Sequence, residues 1–268
     1  MLRSILVEWK EFGIPKDLIP RNHNISLKGK EIVVIIGARR CGKTYLVFQL
    51  MKELIESGVD ENKIFYVNFE DERIKADPQF LTELLPAIRE EFGVSENIYL
   101  FLDEIHKIPG WTKWLRRNEL KPIKFIITGS SSILTPRKIS EELGGRTLTY
   151  ILYPLSFREF LKFKGVKIDK HIEFSERKYD LLRLLREYIE YGGFPEIVLE
   201  SDARKKIMKL QEYFFTIIYR DIVRGKKVRK VDLLETFLKL LVETTHFTAS
   251  KMANFLKNLV FQQAKKQF

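Results

Sequence analysis

Residues Gly37 to Thr44 read GARRCGKT, two glycines with four residues between them followed by lysine and threonine, and few sequence features restrict a fold as tightly. Ahead of them runs Ile32 to Ile36, a β-branched apolar stretch expected to be a buried strand. Behind them, Leu46, Val47, Leu50, Leu54 and Ile55 recur at the spacing of one buried helix face. A strand, a glycine loop and a helix in that order make a phosphate-binding loop. Glycine at 37 and 42 allows close backbone approach, so that successive N–H groups and the helix N-terminus can face an anion. The expected nucleotide contacts are Gly37, Ala38, Arg39, Arg40, Cys41, Gly42, Lys43, Thr44 and Tyr45. Lys43 would meet the β- and γ-phosphates, and the Thr44 hydroxyl would be a ligand of Mg²⁺.

A second part of such a site follows downstream. The apolar run Ile98 to Leu102 ends in Asp103 and Glu104. Adjacent acids at a strand end point in different directions, which suits Asp103 to the magnesium shell and Glu104 to the role of general base toward water. A further run, Ile123 to Ile127, ends in Thr128, the candidate γ-phosphate sensor, with Ser130 as the fallback. Ligands of open α/β sheets bind beyond the carboxyl ends of the strands, so the loop, the two acids and Thr128 are expected in one crevice. Ile64 to Phe69 and Thr147 to Leu152 supply two more strands. The helices expected between them are Asp77 to Phe92 and Pro109 to Leu120, with Trp111, Trp114 and Leu115 in the core. Arg146, on the turn Gly144-Gly145, is either a finger reaching a neighbouring subunit's nucleotide or a solvated turn residue, and Arg137 is a weaker candidate.

Composition narrows the class. No apolar run nears the roughly 18 residues of a membrane span, and the charged N-terminus does not fit a secretory segment, so a cytoplasmic protein is expected. The single cysteine, Cys41, excludes an internal disulfide, and the 4 histidines lack zinc-ligand spacing. Cys41 is either an oxidisable thiol near a helix N-terminus or a small filler. Of the net charge of +11, residues 201–268 carry +9, from 15 Lys or Arg against 6 Asp or Glu, which points to DNA or another acidic partner there. The first thirty residues, with Pro15 and Pro20, read as a lead-in. Beyond residue 153 the pattern turns helical: a capping box at Ser156 to Glu159, then helices over 175–191, 202–223, 231–243 and 248–259, with a charged connector at 224–230.

Seven segments in order, IIGARRCGKT, FYVNFED, YLFLDEIHKIPGW, FIITGSSS, LGGRTLTYILYPLSFREFL, YGGFPEIV and YFFTIIYRDIV, resemble the archaeal and bacterial ATP-binding proteins of the AAA+ class, close to the signal-transduction (STAND-like) ATPases. The resemblance covers roughly residues 30 to 223. It implies ATP and Mg²⁺, an α/β P-loop NTPase core over 1–153 with a parallel sheet of about five strands of the additional-strand, catalytic-glutamate type, a helical lid over 154–223, and Arg146 as a finger acting in trans within a homo-oligomer. Such proteins continue into a winged helix and a further domain, so the segment 224–268 is expected to be a basic linker with an incomplete helix-turn-helix, a short form. Phe247 to Leu259 resembles its opening. An ATPase acting near DNA or as a switch is expected, or else a nucleotide-gated interaction module with little turnover. A GTPase is disfavoured because no guanine-reading Asn-Lys-x-Asp segment occurs, and a small-molecule kinase would not need the Asp103-Glu104 pair.

Overall fold

The structure, a computed structural model, describes residues 1–130, 133–167, 177–224, 231–243 and the single residues 228, 248, 250 and 254. It separates into two compact units, Met1–Tyr213 and Phe214–Phe268. The first is built on five parallel strands: β1 Ile32–Gly37, β2 Ile64–Asn68, β3 Ile98–Asp103, β4 Ile123–Ser130 and β5 Thr147–Leu152. Their spatial order is β2-β3-β4-β1-β5, so β4 is inserted between the loop strand and the acid strand. The register aligns the carboxyl ends, with Gly37 beside Ser130 and Leu152, and Asn68 beside Asp103.

Continuous apolar strands require cover on both faces, and helices supply it. Successive side chains of β1 alternate between two cores. Ile32, Val34 and Ile36 join Leu100, Leu102, Phe125 and Ile127 beneath α3 (Pro78–Phe92), α4 (Trp111–Asn118) and α5 (Pro136–Leu143). Val33 and Ile35 join Phe101 and Ile126 beneath α2 (Lys43–Glu56), which contributes Leu46, Val47, Leu50, Met51 and Leu54. Each fully buried aliphatic side chain stabilises the fold by about 1.5–3 kcal/mol. The N-terminal lead-in opens with a helix, α1 (Leu2–Phe12). Its Leu2, Ile5 and Leu6 enter the first core, and Trp9 stacks on Phe48 at 5.5 Å between ring centroids. In this way α1 packs beside β2 and covers that sheet edge.

After β5 the chain builds a third, helical core from Leu155, Phe160, Leu161, Leu184 and Val198. It comprises α6 (Phe157–Phe163), α7 (Arg177–Tyr191) and α8 (Pro195–Leu199), and both halves of the capping box between Ser156 and Glu159 are formed. Gly193 is required where this segment crosses itself, because a Cβ there would lie 2.2 Å from the Leu155 carbonyl oxygen.

The helix expected over 202–223 is divided. α9 (Ala203–Phe215) gives way to π-helical turns over Thr216–Arg224, where five β-branched residues crowd the tighter α geometry. The second unit also holds α10 (Val231–Glu243), whose Glu235 accepts a hydrogen bond from Tyr219. The helix-turn-helix-like stretch 247–259 and most of the connector 224–230 lie outside the described residues. Among the described residues no helix is long and apolar enough to cross a membrane.

Candidate active site

The loop between β1 and α2 is shaped by its neighbours. Gly37 keeps an ordinary φ, yet its Cβ would sit 2.4 Å from the Leu152 carbonyl oxygen, so close approach of β5 is what excludes a side chain there. Gly42, at φ 96°, is the N-cap of α2, where a left-handed backbone opens the first helical turn. Arg40 also lies in the left-handed region, at φ 61°, a strain of about 1–3 kcal/mol for a non-glycine residue. It is held there by Glu196 at 3.3 Å and by the Tyr213 ring, 4.2 Å below its guanidinium. Cys41 is fully buried, and burial pushes its thiol up despite the pull of Lys43 and Arg21. The oxidisable-thiol alternative is thereby overturned in favour of the filler.

Three hydroxyls converge on one carboxylate. Thr44 Oγ1 donates to Asp103 Oδ2 at 2.7 Å, Tyr66 Oη donates to the same oxygen at 2.9 Å, and Thr128 Oγ1 donates to Oδ1. Burial, reinforced by the charge of Asp103, pushes the Tyr66 phenol far up, so it remains a donor. Thr128 also accepts from the backbone N–H of Glu104 at 3.0 Å. Its one proton is directed to Asp103, so in this arrangement Thr128 orients the two acids, a different task from the phosphate sensing expected of it. Ser130, the fallback, is buried beside Gly37.

Glu104 sits on left-handed backbone, at φ 56° and ψ 36°, which turns its side chain out of the strand path. Its Oε1 lies 3.3 Å from Lys43 Nζ, which also donates to the carbonyls of Gly37 and Ala38 at 3.3 and 3.2 Å. Burial pushes the Glu104 carboxyl up, with Asp103 and Glu70 adding to the effect against the opposing charge of Lys43. A carboxyl so shifted is a better proton acceptor. On its other side, Oε2 is 3.3 Å from His106 Nδ1, and neither atom is hydrogen-bonded. The His106 ring is pushed down to about 4, first by burial and then by Lys107 and Arg39, and is neutral at pH 7.

The donor set suits a small hard cation: the Thr44 hydroxyl and the Asp103 carboxylate already meet. Among the described residues no cluster of three or more His, Cys, Asp or Glu forms a self-sufficient metal cage.

Not every expected residue arrives here. Tyr45 is half exposed and packs edge-on against Phe48 at 6.1 Å. Arg39 lies 3.6 Å from Glu70. Arg146 precedes β5, at the amino ends of the strands, and pairs with Glu119 on the sheet edge opposite the loop. Arg137 is largely exposed and pairs with Glu141 on α5.

Sequence patterns missed one connection altogether. Arg21, from the lead-in, donates through Nε and Nη2 to Glu159 at 2.9 and 3.3 Å, and also reaches the carbonyls of Cys41 and Tyr153 at 2.8 and 3.0 Å. Gln49 of α2 clasps the Arg21 backbone from both sides, at 2.7 and 3.0 Å. One guanidinium thus joins the loop, the end of β5 and the helical region.

Residues 29–161 match a family model described as an AAA domain, and residues 182–266 match one described as a domain of unknown function. An uncharacterized protein of Methanocaldococcus jannaschii is 34% identical over 259 residues, covering 96% of this chain and 57% of the relative. An uncharacterized protein of Haemophilus influenzae is 32% identical over 231 residues, covering 84% of this chain and 55% of its own length. A second uncharacterized M. jannaschii protein is 29% identical over 231 residues, with 79% and 48% covered. The chain spans about half the length of these curated relatives.

Proposed function

Starting from the match of residues 29–161 to an AAA domain, we propose that this chain binds ATP with Mg²⁺ and hydrolyses it to ADP and phosphate. One observation carries the proposal: Thr44, Asp103, Thr128, Glu104 and Lys43, drawn from the ends of two strands and the start of a helix, meet at one edge of the sheet. Lys43 and the first turn of α2 neutralise phosphate charge. Thr44 and Asp103 would hold the metal, which would polarise phosphate oxygens and offset developing charge. Glu104 accepts the proton of the attacking water as its oxygen bonds to the γ-phosphorus and the bond to the β-phosphate oxygen breaks. Tyr66 and Thr128 fix the Asp103 carboxylate throughout.

Coupling to a helical lid over 154–223 is supported by the Arg21–Glu159 pair and by the grip of Glu196 and Tyr213 on Arg40. The +9 charge of residues 201–268 supports contact with DNA phosphates, and the order of motifs supports a STAND-like relationship. A second reading, a nucleotide-gated interaction module of low turnover, is favoured by Arg146, whose partner in its own chain is Glu119 far from the loop.

Phosphate release measured against protein concentration, with and without duplex DNA, tests both. Activity per chain that rises with concentration and is lost in Arg146→Ala supports an assembled ATPase. Glu104→Gln should keep nucleotide and abolish release, and unchanged release in that variant would sink the hydrolytic mechanism. Nucleotide bound without release at every concentration supports the module.

A further inference from the structure

We infer that His106 is a positioning residue for Glu104, its Nδ1–H holding the Oε2 oxygen of the carboxylate while Lys43 turns to the phosphates. The inference rests on the hydrolytic reading above. In the described structure Glu104 has a partner on one side only: Oε1 faces the Lys43 ammonium at 3.3 Å. That ammonium is the group expected to neutralise phosphate when nucleotide binds, and it cannot remain directed at Glu104 as fully. Without a second anchor, the carboxylate meant to receive a proton would lose its orientation.

His106 Nδ1 is 3.3 Å from the free oxygen, and its side chain is 6% exposed. Both atoms are buried without a hydrogen bond, an arrangement that native proteins rarely leave unexplained. An ionised carboxylate oxygen can only accept, so with Glu104 charged, the form that receives a proton from water, the pair is satisfied by a proton on Nδ1 and a small rotation that shortens and straightens the contact. A merely space-filling role would be served better by an apolar ring, which brings no polar atom to be buried. The adjacent strand β4 also makes room for the imidazole: a Cβ on Gly129 would lie 3.1 Å from Nδ1 and 2.3 Å from Leu134 Cδ1.

His106→Phe removes the donor at similar volume, and His106→Asn restores an N–H near the Nδ1 position. The tautomer is read by nitrogen NMR of histidine-labelled protein without nucleotide, and kcat and the Kd of a fluorescent ATP analogue are measured for each variant. We expect the Nδ1–H tautomer in the wild type. In His106→Phe, kcat should fall by about tenfold to a hundredfold, the loss typical of a misplaced catalytic group, with Kd within about twofold. His106→Asn should recover most of it. An Nε2–H tautomer, an unchanged kcat in His106→Phe, or equal losses in both variants would overturn the inference. If instead wild type and Glu104→Gln release phosphate equally, the hydrolytic reading fails, and the tautomer still judges the contact separately. Should His106→Phe fail to fold, the tautomer and the Asn variant decide.

Discussion

Replacing Glu159 with Gln removes the charge from the Arg21–Glu159 ion pair, which ties the lead-in to the helical region, and the structure sets the size of the effect. The two side chains are only 6% and 7% exposed, so water screens the pair weakly. Burial alone would raise the Glu159 carboxyl. Hydrogen bonds from Arg21 and Ser156 reverse this and hold it at about 2, against an ordinary 4.5. At about 1.4 kcal/mol per pH unit, that difference corresponds to about 3 kcal/mol of stability. A separate route, the cost of removing one partner from a buried pair, gives about 3–5 kcal/mol. Because the folded-state value is depressed, the contribution is fully present above about pH 4.5 and lost as pH falls toward about 2. Urea denaturation at neutral pH should therefore find Glu159→Gln less stable by about 3 kcal/mol, with the gap closing through that acid window. Adding Arg21→Met should cost less than the sum of the two single changes, since they share one interaction. A neutral-pH gap below about 0.5 kcal/mol, the range of ordinary surface changes, would refute the reasoning, as would a gap that does not change with acid.

Thr128→Val keeps the side-chain shape but leaves Asp103 Oδ1 and the Glu104 N–H without their shared hydroxyl. A loss of about 1–3 kcal/mol is expected in thermal melts, together with a lower kcat at nearly unchanged nucleotide affinity. Gly193→Ala forces a Cβ against the Leu155 carbonyl oxygen and should destabilise the helical core by about 1–3 kcal/mol, read as a lower Tm. Cys41 should resist thiol reagents in the folded protein at neutral pH, because burial keeps it as the thiol, and it should react at once in urea; fast native-state labelling would contradict its burial.

The loop and the acids were legible because each is local: a strand, a turn and a helix start lie within a few residues, and their chemistry follows from that order. The parallel sheet was expected from the family resemblance, which rests on seven segments in order. Other parts depended on contacts that no local period encodes. Leu2, Ile5, Leu6 and Trp9 do form a helical stripe, but it is short, and what fixes α1 is the edge of β2. Glu159 was recognisable only as half of a capping box, whereas its second partner lies 138 residues away. Tyr66 looked like one more strand aromatic until Asp103 claimed its hydroxyl. For Gly37 the close approach expected from the sequence has a source that no local pattern encodes, the Leu152 carbonyl of the neighbouring strand.

The placement of Arg146 restricts what kind of assembly could use it. It stands at the amino ends of strands whose carboxyl ends carry the loop, so the two surfaces are separated by roughly 17 Å of strand, from about 3.3 Å per residue. A two-fold pair presents the same patch from both partners, and surfaces facing opposite ways do not share such a patch easily. Delivery of Arg146 to another copy's loop therefore calls for a head-to-tail contact. Repetition of that contact closes into a ring if the rotation between copies divides a full turn, and winds into a filament if it does not.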